Sequence, residues 1–290
     1  MGERKIIDSL WNDVGDRIDY DDCAYFPRGE IYELVTTDFV GEGTHFVEEV
    51  SPHVLGEFIA GVHLSDVAAM GGVADYFLLS AFMPGDTEYD FLRDLIKGLV
   101  KRLREYDVRY LGGDLKESKM AGFSGFAVGH VEKNKILRRI GAKIGEIIGV
   151  TGPLGKNAAA YYLWNMGMVE FDEVLKISPR MREGRVLAGR ASVAMDTSDG
   201  IISSIAQLQV VNNLGFSIDF ENLPVHPLAM EVVEDYDVSL TDLLNFGGEY
   251  ELIYTSDKRI LGYEIGEVVK SVLNYGGFGY ESFSEALDKA

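Results

Sequence analysis

The sequence predicts an α+β protein in two units, residues 1–145 and 146–290. Three observations carry that expectation. Strand-like and helix-like stretches interleave in both halves of the chain. A length of 290 residues suits one large domain or two modest ones. Hydrophobic residues make up 47% and charged residues 26%, a globular balance that can bury a core without disulfide staples. No Pro- or Ser-rich linker marks the junction, which falls near residues 141–150.

Residues 4–12 have the spacing of a short amphipathic helix. Residues 31–37 (IYELVTT) are β-rich and stop at Asp38. Residues 52–70 read as a helix carrying Asp66, and 76–83 (YFLLSAFM) as a buried strand closed by Pro84 and Gly85. Residues 90–106 set Phe91, Leu92, Leu95, Ile96, Leu99 and Leu103 at helical period. A short strand at 108–111 stops at Gly112-Gly113-Asp114, and 123–131 is a further strand. The second unit opens with a strand at 146–151, a turn at Gly152-Pro153 and a helix at 157–164. A strand at 193–195 runs into Asp196-Thr197-Ser198-Asp199-Gly200 and a helix at 201–211. Residues 215–220, 252–255 and 263–269 read as strands.

Composition excludes several function classes. There are 27 Lys plus Arg against 47 Asp plus Glu, a formal net charge of -20. Non-specific nucleic-acid binding and docking on anionic lipid both need a basic face, so neither partner is expected. The most apolar stretch, 58–83, contains His63, Asp66, Asp75 and Gly71-Gly72, so it reads as a buried helix and strand and not as a membrane span. The charged first residues lack a signal-peptide core. Cys23 is the single cysteine, which rules out an intrachain disulfide and a Cys-based zinc site and fits a cytoplasmic protein.

The chemistry sits in carboxylates at strand ends or on an apolar helix, beside tiny or hydroxylated residues. They are Asp21 and Asp22, Asp38, Asp66, Asp114, and Asp196 with Asp199. A charged Asp next to a buried strand is costly to desolvate unless paired, and few basic residues lie near these motifs in sequence. A hard cation would serve, and Mg²⁺ commonly joins carboxylates to substrate phosphates. A lone Asp of this kind is most often a cap or turn residue, and Asp199 before Gly200, like Asp86 and Asp90, fits an N-cap. Five such motifs in one chain shift the balance toward a site. The stretch from Gly149 to Asn157 comes nearest to a P-loop, but its glycine spacing is one residue too long and Asn157 replaces the hydroxyl. His45 has no Ser or Cys partner for a nucleophilic triad.

These motifs, in this order, resemble the thiamine-monophosphate kinase family, whose superfamily includes aminoimidazole ribonucleotide synthetase, selenophosphate synthetase and a hydrogenase-maturation dehydratase. The matching segments are DDCA at Asp21, TTD-x-x-x-E-G-x-H-F at Thr36, LSDVAAMGG at Leu64, GGD at Gly112, R-x-G-A-K-x-G at Arg139, TGPLG at Thr151, DTSDG at Asp196, GGE-YEL at Gly247 and GY-x-x-F at Gly279. The resemblance implies ATP-dependent phosphorylation of thiamine monophosphate to thiamine diphosphate by direct in-line transfer among several Mg²⁺ ions. It implies magnesium ligands at Asp22, Thr36, Thr37, Asp38, Asp66, Asp114, Asp196 and Asp199, with Asp38, Asp66 and Asp199 closest to catalysis. It implies ATP contacts from Gly113, Asp114, Arg139 and Ser198, and thiamine contacts from His45, Glu249 and Tyr280. It implies a homodimer, in which N-terminal sheets pair into a shared barrel beside a C-terminal α/β sandwich. The chain departs from the family at Tyr20 in place of the Gly of GDD, at a GGEDYEL segment shortened to Gly247-Gly248-Glu249-Tyr250-Glu251-Leu252, at a lost His in GYDHF, and at Glu146 in place of Asp. Two alternatives stay open: another ATP-dependent enzyme of the superfamily acting on a phosphate or carbonyl substrate, and a non-catalytic nucleotide or thiamine-phosphate binder.

Overall fold

The computed structural model describes residues 10, 13 and 20–270. Of the expected helix at 4–12 only Leu10 is among the described residues, and Tyr280 lies outside them. Two five-stranded sheets and seven α-helices make up the α+β fold among the described residues.

The first sheet holds β1 (Ala24–Arg28), β2 (Ile31–Gly41), β3 (Val73–Pro84), β4 (Arg109–Ser118) and β5 (Gly122–Glu132) in the order β1-β2-β5-β3-β4. Only β3 and β4 run parallel; every other pairing in this sheet is antiparallel. The sequence hides β1 because Pro27 interrupts it, and a Pro is tolerated at the edge position that β1 occupies. Two expected strand ends are corrected. β2 continues through Asp38 to Gly41, and β4 runs through Gly112-Gly113-Asp114 to Ser118. Pairing with β5 and β3 carries both strands past residues whose local preference is to turn.

Helices α1 (Pro52–Ala69) and α2 (Tyr89–Arg104) pack together beside this sheet. Pro52 opens α1 at a position where its missing N–H costs nothing. α1 is buried around almost its whole circumference, which explains its uniformly apolar sequence. α2 is amphipathic, with Leu95, Leu99 and Leu103 buried, Asp90 in its first turn and Lys101, Arg102 and Arg104 in its last. Its N-cap is Glu88 and not Asp86 or Asp90; Asp90 pairs with Arg93 at 2.6 Å. The two helices touch backbone to backbone at Gly56 and Gly98, where a Cβ would lie 2.0 Å from the Leu95 carbonyl and 1.9 Å from that of His53.

The second sheet holds β6 (Ile147–Val150), β7 (Val193–Asp196), β8 (Gly215–Ile218), β9 (Leu252–Ser256) and β10 (Tyr263–Val269) in the order β7-β9-β6-β10-β8, all antiparallel. Helices α3 (Lys156–Asn165), α4 (Met181–Leu187), α5 (Ile201–Asn212), α6 (Pro227–Tyr236) and α7 (Leu240–Asn245) accompany it. β8 stops short of Phe220 because the Asp219 side chain accepts from Glu221 N and starts a 3₁₀ turn. Phe171, Val174, Leu175, Ile177, Met181 and Leu187 join the same core as α1, and α4 packs on that helix. The largest core therefore runs across the sequence midpoint, with α1 between the two sheets' contributions.

Candidate active site

Helix α1 organises the acid side of the site. Along one turn it presents His63 and Asp66, both joined to β2, and Ser65, joined to the end of β7. His63, fully buried, accepts from Asp38 N through Nε2 at 3.1 Å, and its Nδ1 lies 2.7 Å from Ile59 O. With Nδ1 protonated the ring can serve both partners, and burial holds the pKa of His63 down. The ring fits because residue 125 is glycine; a Cβ there would come within 2.5 Å of it. Ser65 Oγ donates to Asp196 Oδ2 at 2.7 Å. Asp66 Oδ2 accepts from Thr36 Oγ1 at 2.5 Å. One helix thus ties β2 of the first sheet to β7 of the second.

Asp22, Asp66 and Asp196 converge: each offers a carboxylate oxygen within 4.8 Å of the others. Burial first, then the neighbouring carboxylates, pushes Asp66 well above the ordinary carboxylate range and Asp196 up to about 6. Three anions held so closely, with oxygen donors only, fit a hard divalent cation. The Cys23 thiol beside them is pushed up by burial and by the same carboxylates, so it stays protonated at neutral pH.

The expectation that these acids lack basic partners is corrected by the fold. Arg138 Nε donates to Asp21 Oδ2 at 2.7 Å, and Arg139 Nη2 to Asp22 Oδ1 at 2.8 Å. Tyr20, where the family has glycine, puts its ring 5.8 Å beneath the Arg139 guanidinium. Asp199 is not an N-cap: Gly200 holds that position in α5, and the Asp199 carboxylate accepts from Gln207 Nε2 at 3.0 Å.

A cleft of about 1120 Å³ opens over this centre. Asp22, Thr36, Thr37, Asp38, His45, Asp66, Arg139, Asp196, Ser198 and Asp199 all line it. Aromatic rings also line it. Phe58 meets Tyr250 at 6.2 Å, Tyr161 meets Phe246 at 4.9 Å, and Phe171 closes the same side. Tyr250 holds a left-handed backbone with φ 55 while buried, a costly conformation for a bulky residue, in the segment that is one residue shorter than the family pattern.

The fold separates other predicted residues from the acid centre. Strand alternation turns Thr36 inward and Thr37 outward, where its Oγ1 lies 3.4 Å from Ser124 Oγ. Asp114 is exposed on that outer face, pairs with Lys116 at 2.7 Å, and does not line the cleft; neither does Gly113. Glu249 caps α3: its Oε1 accepts from Asn157 N at 3.0 Å, and burial pushes its pKa up to about 7. That carboxylate fills the helix start where a P-loop would place phosphate.

Sequence reasoning missed His63, Ser65, Gln207 and the aromatic wall. The first two carried a signal, since a polar His-Leu-Ser-Asp run inside an apolar helix needs buried partners. The aromatics carried none, because their convergence joins α1, α3 and the loops at 171 and 246–250.

Comparison with known proteins agrees with the motif order. Residues 20–131 match the family described as AIR synthase related protein, N-terminal domain. The thiamine-monophosphate kinase of Pyrococcus horikoshii is 30% identical over 266 residues, covering 90% of this chain and 84% of the relative. That of Haemophilus influenzae is 33% identical over 246 residues, covering 81% and 74%. Among solved structures, AaThiL complexed with AMPPCP and TMP superposes with a TM-score of 0.88 at 27% identity, covering 93% of this chain and 91% of that one. From its carboxylate motifs, its two-sheet fold and these relatives, the chain belongs to the thiamine-monophosphate kinase family.

Proposed function

We propose that this protein transfers a phosphoryl group from ATP to thiamine monophosphate, giving thiamine diphosphate and ADP. The observation that carries this reading is a single cleft lined by a carboxylate triplet and by aromatic rings, in a chain of this family. The acceptor is a phosphate monoester, ionised at neutral pH, so one of its oxygens forms the new P–O bond as the bond to ADP breaks, and no strong base is required. The protein's task is to hold two polyanions end to end.

Asp22, Asp66 and Asp196, with Thr36, Asp38 and Asp199 around them, are the residues that would hold magnesium. Magnesium, when bound, would supply neutralisation of the charge on the phosphate groups. Asp38, Asp66 and Asp199 stand nearest the transferred group in this reading. Arg139 and Ser198 face the nucleotide, and His45 with Phe58, Tyr161, Phe246 and Tyr250 face the thiamine rings. Glu249 acts from behind that wall by fixing the start of α3.

The outer face of the first sheet exposes Phe39, Tyr76, Phe82 and Phe126, an apolar patch of the kind that a second copy can cover. A second copy packed there, sheet on sheet in a shared barrel, would enclose Gly113 and Asp114 beside Thr37 and bring them into the nucleotide region. Sedimentation velocity tests this: a dimer that Phe126→Asp converts to a monomer supports it, and a monomeric wild type overturns it. The division at residues 145/146, a cytoplasmic location, and the absence of nucleic-acid and membrane partners belong to the same reading. Among the described residues no helix is long and apolar enough to cross a membrane.

The deciding experiment incubates the protein with ATP, Mg²⁺ and thiamine monophosphate and follows thiamine diphosphate and ADP by mass spectrometry, with a chelator control. Both products appearing, and vanishing with chelator, is the expected result. Nucleotide binding without thiamine diphosphate would overturn the substrate assignment.

A further inference from the structure

A residue outside every expected metal or substrate set joins the two halves of the acid centre. Gln207 lies on α5, eight residues after Asp199, and is 2% exposed. Its Oε1 accepts from Arg139 Nη1 at 3.0 Å, and its Nε2 donates to Asp199 Oδ2 at 3.0 Å. Arg139 in turn gives Nη2 and Nε to the two oxygens of Asp22, at 2.8 and 3.3 Å. A guanidinium only donates and an ionised carboxylate only accepts, so a single orientation of the Gln207 amide serves both neighbours. The run Asp22–Arg139–Gln207–Asp199 links residues far apart in sequence through one amide.

We propose that Gln207 is a positioning residue that sets Arg139 and Asp199 for the magnesium–nucleotide complex. The proposal rests on the ATP-binding reading above. Arg139 feels not only Asp22 but also Asp196 and Asp66, so its guanidinium has competing anions within reach. By engaging Nη1, Gln207 keeps the guanidinium on Asp22 and leaves the Asp66 and Asp196 oxygens facing the cleft. By donating to Asp199, it holds an exposed carboxylate on the same side of α5. A glutamate would accept from Arg139 but repel Asp199, a lysine would do the reverse, and a methionine of similar shape would do neither.

The test compares the full-length wild type with Gln207→Met and Gln207→Glu. Calorimetry measures binding of the ATP analogue AMPPCP with Mg²⁺, steady-state kinetics measures both substrates, and thermal melting is recorded without metal. Loss of two hydrogen bonds to charged groups predicts that Gln207→Met weakens the Mg²⁺–AMPPCP complex and raises the ATP KM about tenfold. The thiamine monophosphate KM stays near wild type, while the metal-free Tm falls modestly because both hydrogen bonds are already formed without metal. Gln207→Glu retains the Arg139 contact and falls between the two. Unchanged nucleotide binding in Gln207→Met would overturn the proposal. So would parallel losses for both substrates, which would make Gln207 a packing residue. If the wild type binds Mg²⁺–AMPPCP but does not phosphorylate thiamine monophosphate, the substrate reading fails while the calorimetry still decides Gln207. If it binds no nucleotide, both fall.

Discussion

The two walls of the cleft are built in opposite ways. The acid wall draws Asp22, Asp66 and Asp196 from a loop, a helix and a strand end in different parts of the chain, and sets like charges within 4.8 Å of each other. The aromatic wall draws on α1, α3 and the loops at 171 and 246–250 and sets rings 4.9 to 6.2 Å apart. The first arrangement costs folding energy, as the upward pKa shifts of Asp66 and Asp196 record; the second contributes to it. Function is placed where the fold is strained electrostatically, and substrate shape is placed where it is well packed.

Neutralising one acid breaks the comparison most sharply. Asp66→Asn removes a carboxylate whose charge the fold disfavours, so the metal-free protein should melt higher than wild type at neutral pH. The same change should lower the phosphoryl-transfer rate by about 10²–10³-fold or more, the scale of losing one preorganised electrostatic group. Parallel melting curves and rate assays check this, and a variant both slower and less stable would mean that Asp66 is a structural residue.

Glu249 gives the aromatic side one buried charge of its own. Its folded pKa lies above the ordinary glutamate value, so its contribution to stability is complete below about pH 4.5 and is lost as the pH rises through about 7. Glu249→Gln keeps an acceptor for Asn157 N and removes that loss. The variant should gain about 3 kcal/mol over wild type above pH 7 and nothing at pH 4. Denaturant titrations at the two pH values measure the difference, and equal gains at both would reject the burial argument.

The smallest expected effect sharpens the contrast from the other side. Phe246 is half exposed and stacks on Tyr161. Phe246→Ala should raise the thiamine monophosphate KM about tenfold, the worth of one ring contact, and leave the ATP KM unchanged. Equal changes in both would remove Phe246 from the thiamine side.

Much of this arrangement is legible in the sequence. The α1 helix with Asp66, the strand ending at Asp196, and the order of the acidic motifs follow from apolar periodicity and residue chemistry. Short elements escape it: α4 and α7 have too few residues to show a period, and Pro27 conceals β1. Glu249 reads as a substrate contact in sequence, but it lies beside the start of α3, whose unpaired N–H groups attract a carboxylate.

By itself the sequence determined which residues are chemically suited to the site: oxygen donors for a hard cation, small neighbours, and a single cysteine. Tertiary structure decided which of them meet. Adjacent Thr36 and Thr37 take opposite faces because a strand alternates, and β4 carries Asp114 to the outer face by its pairing with β3. Arg138 and Arg139 reach Asp21 and Asp22 across 117 residues of chain. Burial then sets the charge each acid can carry, because desolvation depends on what packs around a carboxylate and not on its place in the chain.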